Sequence, residues 1–178
     1  MPMKWSTRFV KAATLNLLTA LVLCAVCEFL AIYVWHVAPA EVQAAGWSWP
    51  MFGINFVVAW ISATIIGMIP ALPDKGFQFG MKHAKPSDGL KFGAWINVYI
   101  NTWYAVILNI IMTVLDTFVL GGAPMAMFFP LLLIGWAQNI IPVWIFCYVV
   151  TLFCQGPCEN LARKVCNDPV PPMGGPQA

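Results

Sequence analysis

Four long apolar stretches decide most of what this chain can become. They run from about residue 9 to 35, 50 to 69, 94 to 120 and 127 to 153. A helix crosses the hydrocarbon core of a bilayer in about 20 residues, so each stretch is long enough. Of 178 residues, 61% are hydrophobic and only 9% charged. An ordinary soluble domain carries roughly 25% charged residues. Too few charges remain to cover a water-facing surface. The pattern predicts an all-α fold, an integral-membrane four-helix bundle with the lipid bilayer as its first partner. Nine tryptophans suit headgroup depth. The net charge of +2, with no basic cluster interleaved with aromatics, gives no footing to a nucleic-acid partner.

Punctuation falls where helix ends need it. Pro70, Pro73 and Asp74 close the second stretch, and Gly156-Pro157 reads as a stop after the fourth. Gly121-Gly122-Ala123-Pro124 reads as a turn between the third and fourth. Lys4, Arg8 and Lys11 ahead of the first run resemble a signal-peptide start, with Ala38-Pro39-Ala40 as a passable cleavage site. That run exceeds the usual signal core of about 7–15 residues, so the expectation is a retained first helix.

All nine Lys and Arg residues fall on one side of this topology. Lys4, Arg8 and Lys11 precede helix one; Lys75, Lys82, Lys85 and Lys91 lie between helices two and three; Arg163 and Lys164 follow helix four. Basic loops stay in the cytoplasm. The expectation is a multi-pass protein of a bacterial inner membrane with both termini cytoplasmic. The 71–93 loop is expected to lie on anionic headgroups, and the Pro/Gly-rich tail, 167–178, to be disordered.

The two halves look alike. Leu15-Asn16-Leu17-Leu18-Thr19 in helix one parallels Leu108-Asn109-Ile110-Ile111-Met112-Thr113 in helix three. Gly53-Ile54-Asn55 in helix two parallels Gln138-Asn139-Ile140 in helix four, and Trp60 and Trp144 each follow their Asn by five residues. Residues 1–92 and 93–166 therefore read as two two-helix repeats. Both start on the same side, so they are parallel, related by an axis along the membrane normal. With its Asn-bearing third helix, Trp136 to Trp144, and the closing Gly156-Pro157 and Leu161-Ala162-Arg163-Lys164, the chain resembles a family of small bacterial two-helix inner-membrane proteins known only as a domain of unknown function. The resemblance implies an inner-membrane location, here with the unit duplicated, and supplies no activity.

At 100° per residue, each helix gathers its small and polar residues on one face. Helix one carries Ala13, Asn16, Ala20, Cys24, Cys27, Glu28 and Ala31; helix three carries Asn97, Asn101, Thr102, Asn109, Thr113 and Asp116. Ala59, Ala63 and Gly67 form a close-packing stripe on helix two. The membrane asparagines read either as interhelical glue or as the lining of a cavity. Glu28 and Asp116 lie within helices toward the external side, with no Lys or Arg at that depth. Asn55 and Asn139 enter from the same side. Two carboxylates without a cation cannot both stay charged in lipid, so one holds a proton or a cation binds. Glu28, Asp116, Asn55 and Asn139 are thus a candidate proton or cation cluster, with Gln138 nearby. A place at the external interface is the alternative for both acids.

Cys24-x-x-Cys27 invites comparison with membrane thiol oxidases. That chemistry needs an external second pair, and Cys147, Cys154, Cys158 and Cys166 are not external. Cys154, Cys158 and Cys166 are one ligand short of a structural zinc site. His36 and Glu41 sit in the external loop and could gather cations. No phosphate loop, nucleophile elbow, HExxH or dinucleotide fingerprint occurs, so no cofactor, metal or catalytic residue is assigned. Two functions compete. One is a small transport or cation/proton-binding component, expected to be a homo-oligomer because four helices are thin for a pore. The other is a non-catalytic accessory or scaffold subunit of a larger membrane complex, whose polar faces would close on each other.

Overall fold

The structure, a computed structural model, describes residues 3–169. Every regular element in that range is helical. They are α1 (Trp5–Phe29), a short α2 (Ala40–Ala45), α3 (Trp49–Gly67), α4 (Ala71–His83), α5 (Leu90–Val114) and α6 (Phe128–Val165). Wider π turns extend α1 through Leu30–Val34 and α5 through Leu115–Leu120. Four segments are long and apolar enough to cross a membrane: Trp5–Val34, Trp49–Gly67, Leu90–Leu120 and Met125–Val165. Their outward faces are bare hydrocarbon, as in the exposed Ile54, Val57, Ile61 and Ile65 of α3. In water such a surface would be untenable; against lipid it needs no cover.

The four long helices form a ring. α1 packs against α3 and α6, α5 packs against α6, and α3 touches α5 more lightly. α1 and α5 form no extensive contact of their own. Small residues set the α1–α3 approach: Ala59 is 0% and Ala63 1% exposed. A Cβ on Gly67 would lie 3.3 Å from Asn16 Nδ2 and from Ala12 Cβ.

Both described chain ends meet at one end of the ring, the terminal end. The Lys4 backbone N–H donates to Asp168 Oδ2 at 3.0 Å, and Lys11 Nζ pairs with Glu159 Oε2 at 2.6 Å. The Lys4 N–H, with Thr7, holds the Asp168 carboxyl below the usual carboxylate range. Asn167 and Asp168, at the start of the tail expected to be disordered, thus contact Lys4; residues 170–178 lie outside the described residues. The opposite, hairpin end holds the α1–α3 and α5–α6 connections. Both first helices end there in the same way. Trp35 N–H reaches Leu30 O at 2.8 Å and Val37 N–H reaches Ala31 O at 2.9 Å; Gly121 N–H reaches Asp116 O at 2.9 Å and Ala123 N–H reaches Thr117 O at 3.1 Å. Each turn needs a left-handed residue, filled by His36 (φ 53°) in the first and Gly122 (φ 63°) in the second.

Two expectations are corrected. Gly156-Pro157 does not stop the fourth helix, which continues through Val165. Proline removes one intrahelical donor, but the last turns are held from outside. Cys158 and Ala162 are buried, and Glu159 bridges Lys11 and Arg163. Residues 71–83 are not a loop but the helix α4, docked along the start of α5. Gly76 and Gly80 make this possible. A Cβ at Gly76 would lie 2.9 Å from Ile100 Cγ1, and one at Gly80 would lie 2.7 Å from Ile96 Cγ1. The third helix accordingly starts at Leu90 rather than near 94.

Candidate functional site

Polar residues inside the ring fall into three groups. The first is a ladder between α5 and α6. Asn97, Asn101 and Asn109 stand four and eight residues apart, on one face of α5. Their amides donate to backbone carbonyls of α6: Asn97 to Tyr148 at 3.2 Å, Asn101 to Trp144 at 2.9 Å, and Asn109 to Trp136 at 2.8 Å. The matched spacing is the register of two antiparallel helices. At the intervening rung stands Ala105, 1% exposed. The two tryptophans that follow an Asn by five residues also cross to the first helix of their own pair. Trp60 Nε1 donates to Ala13 O at 2.9 Å, and Trp144 Nε1 to Thr102 Oγ1 at 3.0 Å.

The second group lies toward the hairpin end. Glu28 is 8% exposed, on the stripe Asn16-Ala20-Cys24-Glu28. Its Oε1 accepts the Ser48 backbone N–H at 2.8 Å, where α3 begins. That is a natural anchor, because the first N–H groups of a helix have no partners within it. Asp116 sits in the π turn that ends α5, beside the Asn55 side chain and within electrostatic reach of Glu28. Of the four candidate residues, Asn55 and Asp116 thus lie side by side, with Glu28 at longer electrostatic range of Asp116. Asn139 instead donates to Gly135 O of its own helix at 3.2 Å. Glu28 Oε2, Asp116 Oδ1 and Asn55 Oδ1 are all buried and have no donor among the described residues.

The third group was not assembled at the level of the sequence. A cavity of about 370 Å³ opens inside the ring toward the terminal end. It lies between α1 and α5, whose buried contact runs through Ala20, Leu23, Cys24, Ala105 and Met112, and beside the point where the chain turns away from the ring after Gly67. Asn16, Thr19, Asn97, Asn101, Tyr104 and Thr151 line its interior; Arg8, Lys11 and Asp74 stand among its lining from the terminal end. The hint in the sequence was the reading of the membrane asparagines as the lining of a cavity: Asn16, Asn97 and Asn101 line this one. Elsewhere the chemistry is spare. All six cysteines are free, Cys24 and Cys147 being buried, and no cluster of three or more His, Cys, Asp or Glu occurs among the described residues.

Comparison of the chain with protein families, with curated proteins and with solved structures finds no match. The class that the fold defines is an all-helical chain with four helices fit to span a membrane.

Proposed function

We propose that this is a multi-pass inner-membrane protein with both termini cytoplasmic, built of two parallel two-helix repeats, whose role is to bind a single positive charge, a proton or a small cation, between Glu28, Asp116 and Asn55. The observation that carries the reading is the set of three buried oxygen acceptors without donors. A carboxylate left bare in a membrane is costly. A small cation held between Glu28 Oε2, Asp116 Oδ1 and Asn55 Oδ1 would give all three a partner, whereas a proton on one carboxyl oxygen would serve that oxygen and one further acceptor. The like-built turns ending α1 and α5 favour the repeat, and the confinement of Lys and Arg to one side favours the orientation. A charge-binding site in the outer half suits a small transport component, acting as an oligomer.

A non-catalytic accessory role draws support from the Asn ladder, which closes much of the polar face of α5 onto α6. It does not account for Glu28 Oε2 and Asp116 Oδ1, which have no donor among the described residues. The test is titration of the purified chain in lipid nanodiscs with acid, and separately with Na⁺ or K⁺, read by tryptophan fluorescence. Trp47 and Trp49 flank Ser48, the Glu28 partner. Glu28→Gln keeps the acceptor for the Ser48 N–H. It should abolish the transition with helix content unchanged; an identical transition in that variant would refute the reading. An external reporter at Gln43 tests the orientation.

A further inference from the structure

We propose a second site in the cavity at the terminal end, taking a small linear acid that carries an amine or hydroxyl at its far end. It rests on residues other than the acidic cluster and stands or falls independently of it.

Asn101 carries the inference. It is 2% exposed and lines the cavity. Its amide is committed to Trp144 O, while its carbonyl oxygen Oδ1 has no donor among the described residues. The rung below shows what a satisfied asparagine looks like: Asn97 Oδ1 accepts from Thr151 Oγ1 at 3.0 Å. Buried carbonyls are nearly always paired; Asn101 Oδ1 lacks a donor but is closed to a water-sized molecule in the cavity, so a ligand's N–H or O–H pairs with it by opening a path to it. At the other end the charge is positive. Lys11 is paired with Glu159, which it shares with Arg163, and Arg8 forms no ion pair among the described residues. Asp74, the remaining charged lining residue, is exposed in the first turn of α4. A guanidinium holds a carboxylate through two parallel hydrogen bonds.

Size and shape fix the rest of the ligand. The volume lies at the small end of ligand pockets, roughly 300–1,000 Å³. The α1 lining runs from Arg8 to Thr19, about 16 Å along a helix rising 1.5 Å per residue. A cavity this long and this small is narrow. Ala12, Leu15, Ile100 and Leu108 wall it with hydrocarbon, which suits methylenes between two polar ends.

Cys147 provides the reading. It lines the cavity, whereas Cys24, equally buried at 4% exposure, does not. The full chain in nanodiscs is treated with a small methanethiosulfonate reagent, and each cysteine is followed by mass spectrometry. Glycine, 4-aminobutyrate and 6-aminohexanoate are the probes; hexanoate and hexylamine are one-ended controls. Cys147 should react at least tenfold faster than Cys24. A two-ended acid should slow it at least fivefold more than either control. Arg8→Gln and Asn101→Leu should each remove that protection. Asn109→Leu, which breaks an equivalent ladder bond outside the cavity, should keep it. Equal labelling of Cys147 and Cys24, no protection by any probe, or protection that survives Arg8→Gln and Asn101→Leu would overturn the proposal.

Discussion

Replacing Asn109 by Leu tests the ladder that joins α5 to α6. The substitution roughly preserves volume and removes one interhelical bond, to Trp136 O at 2.8 Å. That carbonyl keeps its own helical donor four residues on, so it is not orphaned. The loss should therefore be near the worth of such a bond in a membrane, about 0.6–1.7 kcal/mol, a three- to twenty-fold change in the unfolding equilibrium at about 1.4 kcal/mol per decade. Asn97→Leu removes the bond at the far rung, 12 residues away, about 18 Å along the helix. Sites that distant add within roughly 0.5 kcal/mol, and Asn97→Leu also removes the bond from Thr151 Oγ1 at 3.0 Å, so the double variant should lose at least about 1.2–3.4 kcal/mol. Asn139→Leu is the internal control. Its side-chain bond among the described residues is to its own helix, and it should stay within about 0.5 kcal/mol of the parent. Denaturation in mixed micelles, followed by near-ultraviolet circular dichroism, supplies the numbers. If Asn139→Leu costs as much as Asn109→Leu, membrane asparagine is stabilising for a reason other than the ladder, and the reasoning fails.

Other consequences follow from particular contacts. Gly80→Val sets a side chain against Ile96 and Phe92; it should destabilise docking of α4 by about 1–3 kcal/mol, seen as faster amide exchange over residues 71–83 only. His36→Gly relieves a left-handed conformation that costs a side chain roughly 1–2 kcal/mol, less the entropy glycine loses on folding. It should raise stability by up to about 1 kcal/mol, whereas a loss would contradict the assigned backbone. Asp168 has its carboxyl lowered by the Lys4 N–H. Its stabilising contribution is therefore present above the carboxyl's unfolded value and lost as pH falls through the lower folded one. Proteolysis at the chain ends should rise only in that acid window, and Asp168→Asn should flatten the dependence.

Much of the fold could be read from the residues because lipid imposes a strict length and forbids charge. The i, i+4 stripes of Asn16-Ala20-Cys24-Glu28 and Asn97-Asn101-Ala105-Asn109-Thr113 follow from helical geometry alone, and all nine of these residues are buried. What they bond to did not follow. The α5 asparagines choose backbone carbonyls of α6, and that choice depends on antiparallel register, which no local pattern encodes. Asn55 and Asn139 look equivalent in the chain, yet one meets Asp116 and the other folds back on Gly135. The continuation of α6 past Pro157 depends on Lys11, 146 positions earlier. The cavity is a gap between helices, set by where α3 ends. In α4, the pair Gly76-x-x-x-Gly80 was a packing signal hidden among lysines.

The acidic cluster is tested most directly by infrared difference spectroscopy of the carboxyl C=O stretch, on the full chain in nanodiscs, without Na⁺ or K⁺ at neutral pH. One protonated, buried carboxyl is expected. The signal should move or vanish in both Glu28→Gln and Asp116→Asn, and be replaced by carboxylate when a binding cation is added. A spectrum without any protonated carboxyl under cation-free conditions, or one that neither variant alters, would contradict a site that holds one positive charge.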